Sequence, residues 1–262
     1  MYGLRLTLRP TGALTFRILP GSILDITTYP FVPPSTLSGW LYRVWRFAKT
    51  SANPEFLETG LKNSPYYYLP RSLISLGAYL PEIPSIHRTR RHGTKGFSST
   101  SRSALVTDDM EAPQLHTWSY LFAERLEGYV VSSDLGLLQT LVEPLREDGE
   151  TLPLGCKLGK EGFAYLENIS EPLELTATES EQTPQIWPLL PLEDAVLGQI
   201  DFDLFSVYKP VWKSGRGGWM EPSMVEGFTP LPLALPQRGT LKTDWLIADA
   251  ICIPKRLVEV LQ

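Results

Sequence analysis

Sulfur and imidazole are scarce in this chain of 262 residues. It has two cysteines, Cys156 and Cys252. Two are too few for a disulfide scaffold or a cysteine-based zinc site, and a reducing cytoplasm fits that usage. It has three histidines, His87, His92 and His116. None has metal-ligand spacing with Cys, Asp or Glu, so no metal and no cofactor are expected. No run of 18 apolar residues occurs, which leaves no candidate membrane span. The first residues, MYGLRLTLRP, alternate apolar and polar and lack the continuous apolar stretch of a signal peptide. Gly-x-Ser-x-Gly, His-Glu-x-x-His and paired-carboxylate motifs are absent, so no catalytic residue is assigned.

A hydrophobic content of 43% is enough to bury a sizeable core. The net charge of −5 argues weakly against a nucleic-acid partner, but its distribution says more. Ile86 to Thr107 holds five cations, Arg88, Arg90, Arg91, Lys95 and Arg102, and no carboxylate. One concentrated basic segment in an acidic protein marks a local anion-binding candidate. Of 23 prolines, many follow Glu171, which predicts long ordered loops in the C-terminal third.

Leu4, Leu6 and Leu8 alternate with Arg5, Thr7 and Arg9, the pattern of a half-buried strand. Pro33 and Pro34 then hold the backbone extended, and Ser35 or Thr36 is placed to cap a helix from about Thr36 to Lys49. Leu37, Leu41, Val44, Trp45 and Ala48 form its apolar stripe. Gly39, Tyr42, Arg43, Arg46 and Lys49 mark the other side. A missing side chain beside three cations suits close approach of a phosphate backbone; it equally suits a solvated surface helix. Tyr66 to Leu80 reads as one or two strands broken near Pro70, and Thr117 to Val131 as another strand region. Ser133 or Asp134 caps a second helix with an apolar face of Leu135, Leu138, Leu141, Val142 and Leu145, ended by Gly149. Leu154 to Gly162 is a glycine-rich loop, and Phe163 to Ile169 a last short strand.

That order predicts an α+β fold, a ferredoxin-like β-α-β-β-α-β core over residues 1–170. Residues 82–116 interrupt the middle strands, and a Pro-rich β/loop extension, 171–262, packs on the core. Three segments carry candidate anion contacts. The insertion offers His87, Arg88, Arg90, Arg91, His92 and Lys95, with Phe97 placed to stack on a base; a solvated loop fits the same residues. The glycine loop offers Lys157, Gly159 and Lys160, and departs from a Walker loop because a strand follows it. A second Gly/basic loop, Lys209 to Trp219, sets Lys213 and Arg216 between Trp212 and Trp219. Such interleaving suits RNA stacking or a Trp-anchored protein interface. His92 beside Arg91 and Lys95 is also the one candidate acid/base for RNA cleavage.

LRPTGALTFR, then YPFVPPSTLSGWL, a long insertion and a Gly-Lys loop before a short strand resemble the CRISPR-associated RAMP superfamily. Within it, the nearest resemblance is to Cas-five subunits of the Cascade effector. The likeness spans about residues 1–170, and Pro33 to Leu41 is its most specific part. It implies a noncatalytic, cytoplasmic RNA-binding subunit that holds the 5′ handle of a crRNA in antiviral defence. It also implies an RRM-like domain whose β-hairpin thumb, here 82–116, meets the neighbouring backbone subunit and the guide–target duplex. The large subunit and target DNA near the PAM-proximal end are the further partners implied. Ser35, Thr36, Gly39, Arg43, Arg46, Lys157, Gly159 and Lys160 become handle contacts by the same resemblance. Some family members cut precursor RNA with Tyr, Lys and His. The TFR and PPSTLSG runs also resemble the equivalent RAMP subunits of type III effectors.

Overall fold

The computed structural model describes residues 1–18, 25–50, 68–81, 84–93, 114–197, 199–212, 225–249 and 251–262. Its first half contains β1 Tyr2–Pro10, β2 Asp25–Ile26, α1 Pro34–Thr50, β3 Ile74–Tyr79, β4 Ser85–Gly93, β5 Gln114–Phe122, β6 Leu126–Ser132 and α2 Leu135–Val142. There follow β7 Arg146–Glu147, β8 Glu150–Thr151, β9 Gly155–Lys157, β10 Phe163–Ile169, β11 Leu173–Glu174 and β12 Thr176–Gln182. The chain closes with β13 Leu190–Pro191, α3 Leu192–Leu197, β14 Gln199–Trp212, β15 Val225–Ala248, β16 Ile251–Pro254 and α4 Lys255–Leu261. This is a mixed α+β fold. No described helix is long and apolar enough to cross a membrane.

The main sheet runs β3-β6-β1-β10-β9, with every neighbouring pair antiparallel. The alternation in β1 explains its central place. Leu4, Leu6 and Leu8 are fully buried. Arg5 turns the other way and pairs with Glu127 of β6 at 2.8 Å. α1 lies on this sheet, and Gly128 of β6 makes room for it: a Cβ there would stand 3.1 Å from the Leu37 side chain. Trp45 of α1 donates from Nε1 to the Thr140 carbonyl of α2 at 3.0 Å, so the two helices touch.

Several local expectations change. Helix α1 opens at Pro34, a favoured first helical position because proline has no N–H to leave unpaired. Ser35 and Thr36 are therefore already helical rather than capping. Tyr42, expected on the polar side, is buried at 1% exposure beside Trp45. The aromatic ring joins the core because α1 is covered on more than one side. Asp134 caps α2 by accepting from the Leu137 N–H at 3.2 Å. The helix ends at Val142, before Pro144, and not at Gly149. Gly149 instead forms the two-residue Asp148-Gly149 turn between β7 and β8, where both residues have positive φ (50° and 83°). Asp134→Ala is expected to destabilise the fold by about 1 kcal/mol in urea unfolding, through the lost cap.

The insertion is a hairpin at its root. β4 pairs antiparallel with β5 over its full length, and β2 adds to β5 in parallel. Thr117 to Val131 is thus not one strand region. It breaks at residues 123–125 into β5 and β6, which belong to different sheets. The C-terminal third also departs from the expected loops. β14 and β15 form a long hairpin, and β12, β13 and β16 pair with β15. Pro230, Pro232 and Pro236 sit inside β15 because even spacing turns their missing donors toward one edge, away from β14. Lys209 to Trp212 belongs to β14 and not to a loop. The extension shares one hydrophobic cluster with the main sheet: Leu233, Leu246, Ile253 and Leu257 are buried together with Leu4, Leu6 and Leu8.

Candidate nucleic-acid interface

A cleft of about 610 Å³ opens where the first turns of α1 face the turn after β9. Ser35, Thr36, Gly39 and Arg43 line it from α1. Their spacing of three to four residues keeps them on one helix face. Gly159 and Lys160 line it from the turn, and Phe16 and Arg17 from the segment after β1. Two sequence motifs more than a hundred residues apart therefore meet in one wall. Arg43 is the link. Its Nη2 donates to the Lys157 carbonyl at 2.6 Å and its Nε to the Gly39 carbonyl at 3.4 Å. Trp40 adds a second tie, from Nε1 to the Cys156 carbonyl at 3.2 Å.

The Gly-Lys turn is strapped on its other side as well. The Lys160 N–H donates to the Thr15 carbonyl at 2.9 Å, and the Thr15 N–H to the Glu161 carbonyl at 2.9 Å. Gly159 has φ of +76°, and a Cβ on it would lie 2.6 Å from the Thr15 carbonyl oxygen. Its first job is thus to let the turn close against the chain. Lys160 then projects with its Nζ 4.5 Å from the centre of the Trp118 ring, a cation–π contact.

Charge is one-sided in this cleft. Arg17, Arg43 and Lys160 line it, and among the described residues no carboxylate does. Burial, then repulsion from Arg17, lowers the Lys160 pKa. The Arg17 Nε is shielded from solvent without a hydrogen-bond partner among the described residues. An anion entering beside both cations would relieve the repulsion and supply the missing acceptor. The aromatic lining divides into two sets. Phe16, Tyr29 and Trp40 are buried and form the floor. Burial pushes the Tyr29 hydroxyl up to about 12, so it stays a donor, and it bonds the Ser206 carbonyl. Tyr68, Tyr208 and Phe228 are half-buried at the mouth, where a base can stack on them. Tyr68 meets Phe228 edge-on, with ring centres 6.2 Å apart.

Other expected contacts lie elsewhere. Arg46 is off the cleft, with Nη1 3.4 Å from the Tyr42 hydroxyl. The Lys157 side chain is exposed, and its carbonyl is what reaches the cleft wall. On the hairpin, Arg88 pairs with Asp25 at 2.8 Å. His87 lies 3.1 Å from the Ser85 hydroxyl and edge-on to Phe122. Arg90 is exposed. The backbone of Arg91 and His92 pairs with His116 and Leu115. Their side chains, and Lys95, Phe97, Lys213, Arg216 and Trp219, fall outside the described residues. Among the described residues no group of three His, Cys, Asp or Glu side chains is placed to hold a metal. Arg17, Trp118, Tyr68, Tyr208 and Phe228 escaped the sequence reading. Arg17 had one signal, a lone cation closing the largely apolar stretch Ala13-Leu14-Thr15-Phe16; the others are assembled only by tertiary packing.

Fold and cleft together define an α+β protein with a cationic groove and aromatic walls. No protein-family model matches the chain, and no curated protein sequence matches it. Solved structures do match, and three of them are CRISPR proteins. A CRISPR protein from Archaeoglobus fulgidus aligns over 97% of this chain and 98% of its own, at 12% identity and a TM-score of 0.45. A chain of a CRISPR RNA-guided surveillance complex aligns over 99% and 97%, at 12% identity and a TM-score of 0.37. A chain of a type III-B Cmr-beta complex, bound to cognate target RNA and AMPPnP, aligns over 91% and 85%, at 16% identity and a TM-score of 0.42.

Proposed function

We propose that this chain is a noncatalytic RNA-binding subunit of a CRISPR effector of the Cascade class, and that the cleft holds the 5′ handle of the crRNA. One observation carries the proposal. The helix of the PPSTLSG run and the Gly-Lys turn, the two motifs behind the resemblance, close on one cleft that three cations line and no described carboxylate does. Phosphates are captured by Arg17, Arg43 and Lys160 and by the hydroxyls of Ser35 and Thr36 in the first turn of α1. Bases stack at Tyr68, Tyr208 and Phe228.

The core reads as ferredoxin-like. The strand order β3-β6-β1-β10 supports this, with α1 between β1 and β3 in sequence and α2 between β6 and β10. The β4–β5 hairpin is the thumb. Ile86, exposed at 42%, shares one face of it with the cations Arg88 and Arg90, and Phe122, exposed at 46%, lies on the other face with His87. Apolar and cationic groups side by side suit a neighbouring backbone subunit, the large subunit or target DNA at the PAM-proximal end. The equivalent subunit of a type III effector would use the cleft in the same way.

Arg43 and Arg46 separate in the test. Arg43→Glu is expected to lower guide retention about tenfold or more in the assembled complex, and Arg46→Glu much less. Equal losses would remove α1 from the handle site. The catalytic alternative is a metal-independent endoribonuclease that uses His92. Incubation with repeat RNA in EDTA decides it: site-specific cleavage abolished by His92→Ala would replace the noncatalytic reading.

A further inference from the structure

A second, smaller cavity lies behind the first turn of α1. It measures about 40 Å³, room for about three waters or one tetrahedral oxyanion. Ser35, Ser38, Arg71, Ser75 and Lys209 line it, and among the described residues no carboxylate does. Ser75 is buried at 7% exposure, yet its Oγ has no hydrogen-bond partner among the described residues. A buried hydroxyl without a partner is uncommon, because desolvation is then uncompensated. Ser38 already accepts from the Leu69 N–H at 3.1 Å, which leaves its hydroxyl hydrogen for another acceptor. Lys209 donates to the Val260 carbonyl at 2.9 Å, one bond of the three that an ammonium can make.

We propose that this cavity binds a phosphate group, held by the Lys209 ammonium, the Arg71 guanidinium and the Ser75 and Ser38 hydroxyls. Each group is a donor, and the cavity offers a small anion two positive charges and, among the described residues, no competing negative one. Lys209 is already disfavoured as a cation by burial and then by Arg71, a strain that a bound dianion relieves. A water would satisfy the Ser75 hydroxyl but would not offset the repulsion between Lys209 and Arg71. The cavity is too small for a nucleoside, so the ligand is a terminal phosphate or free inorganic phosphate. Ser35, Tyr68 and Tyr208 line both this cavity and the large cleft, so the end of a strand lying in the cleft can reach it. The site rests on its own residues and stands whether or not the large cleft binds RNA.

The test is calorimetric titration of the full chain with inorganic phosphate at matched ionic strength, with thermal unfolding in parallel. Wild type is expected to bind saturably and to melt higher with phosphate than with chloride. Ser75→Ala and Lys209→Gln are expected to weaken binding at least fivefold. Ser75→Ala keeps the fold, because the hydroxyl it removes bonds to no described group. Absence of saturable binding, or equal binding in wild type and both variants, overturns the proposal. A second arm compares one oligoribonucleotide with a terminal phosphate or a terminal hydroxyl. A preference for phosphate that Ser75→Ala abolishes assigns the site to an RNA end. Phosphate binding without that preference assigns it to the free ion. Phosphate binding that survives Arg17→Gln with Lys160→Gln, while RNA binding falls, keeps the two sites distinct.

Discussion

Replacing Arg17 and Lys160 together with glutamine is expected to weaken single-stranded RNA binding by roughly a hundredfold or more. A hydrogen bond to a charged group contributes about 1.5–3 kcal/mol, and the double change removes two such donors. The loss should shrink as salt rises. Each neutralised phosphate contact adds about −0.7 to the slope of log affinity against log salt for single strands, so the slope should flatten by about 1.4. Fluorescence anisotropy titrations across a salt series measure both effects. An unchanged slope would mean that RNA does not pass between these cations. Folding should change little, because relief of the repulsion between the two charges offsets the lost Lys160–Trp118 cation–π contact. The same pair gives a pH signature. Lys160 titrates below its ordinary value in the free chain, and a bound phosphate would raise it again. Binding should then take up a proton at alkaline pH, and affinity should fall as pH rises through the lowered free-state value. The glutamine variant should lose that dependence.

What could be read from the chain follows from how local each cause is. The β1 strand was legible because Leu4, Leu6 and Leu8 all point into the core and leave a strict alternation. The α2 cap was legible because Asp134 acts on a donor three residues away. Ser35, Thr36, Gly39 and Arg43 were legible as one face, since helix spacing is itself a local rule. Gly149 misled for the same reason. Asp-Gly is a turn signal of its own, and Pro144 had already ended the helix. The C-terminal third misled because proline reads as loop until the edge it faces is known, and only pairing with β14 defines that edge. Tyr42 misled because its burial depends on what covers α1 from outside.

The cleft divides along the same line. Its α1 wall and its Gly-Lys wall were each visible as motifs, but their meeting was not. That meeting depends on the Arg43 bond to the Lys157 carbonyl and on the pairing of β9 with β10. Arg17 matters because the turn bearing Lys160 is strapped to Thr15, a contact across 145 residues of chain. Tyr208 and Phe228 reach the mouth from opposite strands of one hairpin. No window of sequence holds these groups together.

Trp40 holds those two walls in register, and Trp40→Ala is expected to destabilise the fold by about 3–5 kcal/mol. The side chain is fully buried between α1 and β9, so its removal leaves a cavity the size of an indole. The Cys156 carbonyl, which now accepts from the indole Nε1 at 3.2 Å, would also lose that partner. Typical domains are stable by only about 5–15 kcal/mol, so the variant should unfold at a much lower urea midpoint. Trp40→Phe separates the two contributions. It keeps most of the volume and loses the N–H, and should cost about 1–2 kcal/mol. Function should follow geometry. With Trp40→Ala, α1 is free to shift against β9, the Arg43 bond to Lys157 weakens, and RNA affinity should fall along with stability. Trp40→Phe should keep the affinity, because the helix remains wedged at the same height. Equal destabilisation by both variants would assign the coupling to the hydrogen bond instead of the packing. RNA affinity unchanged in folded Trp40→Ala protein would show that the two walls do not need each other to bind.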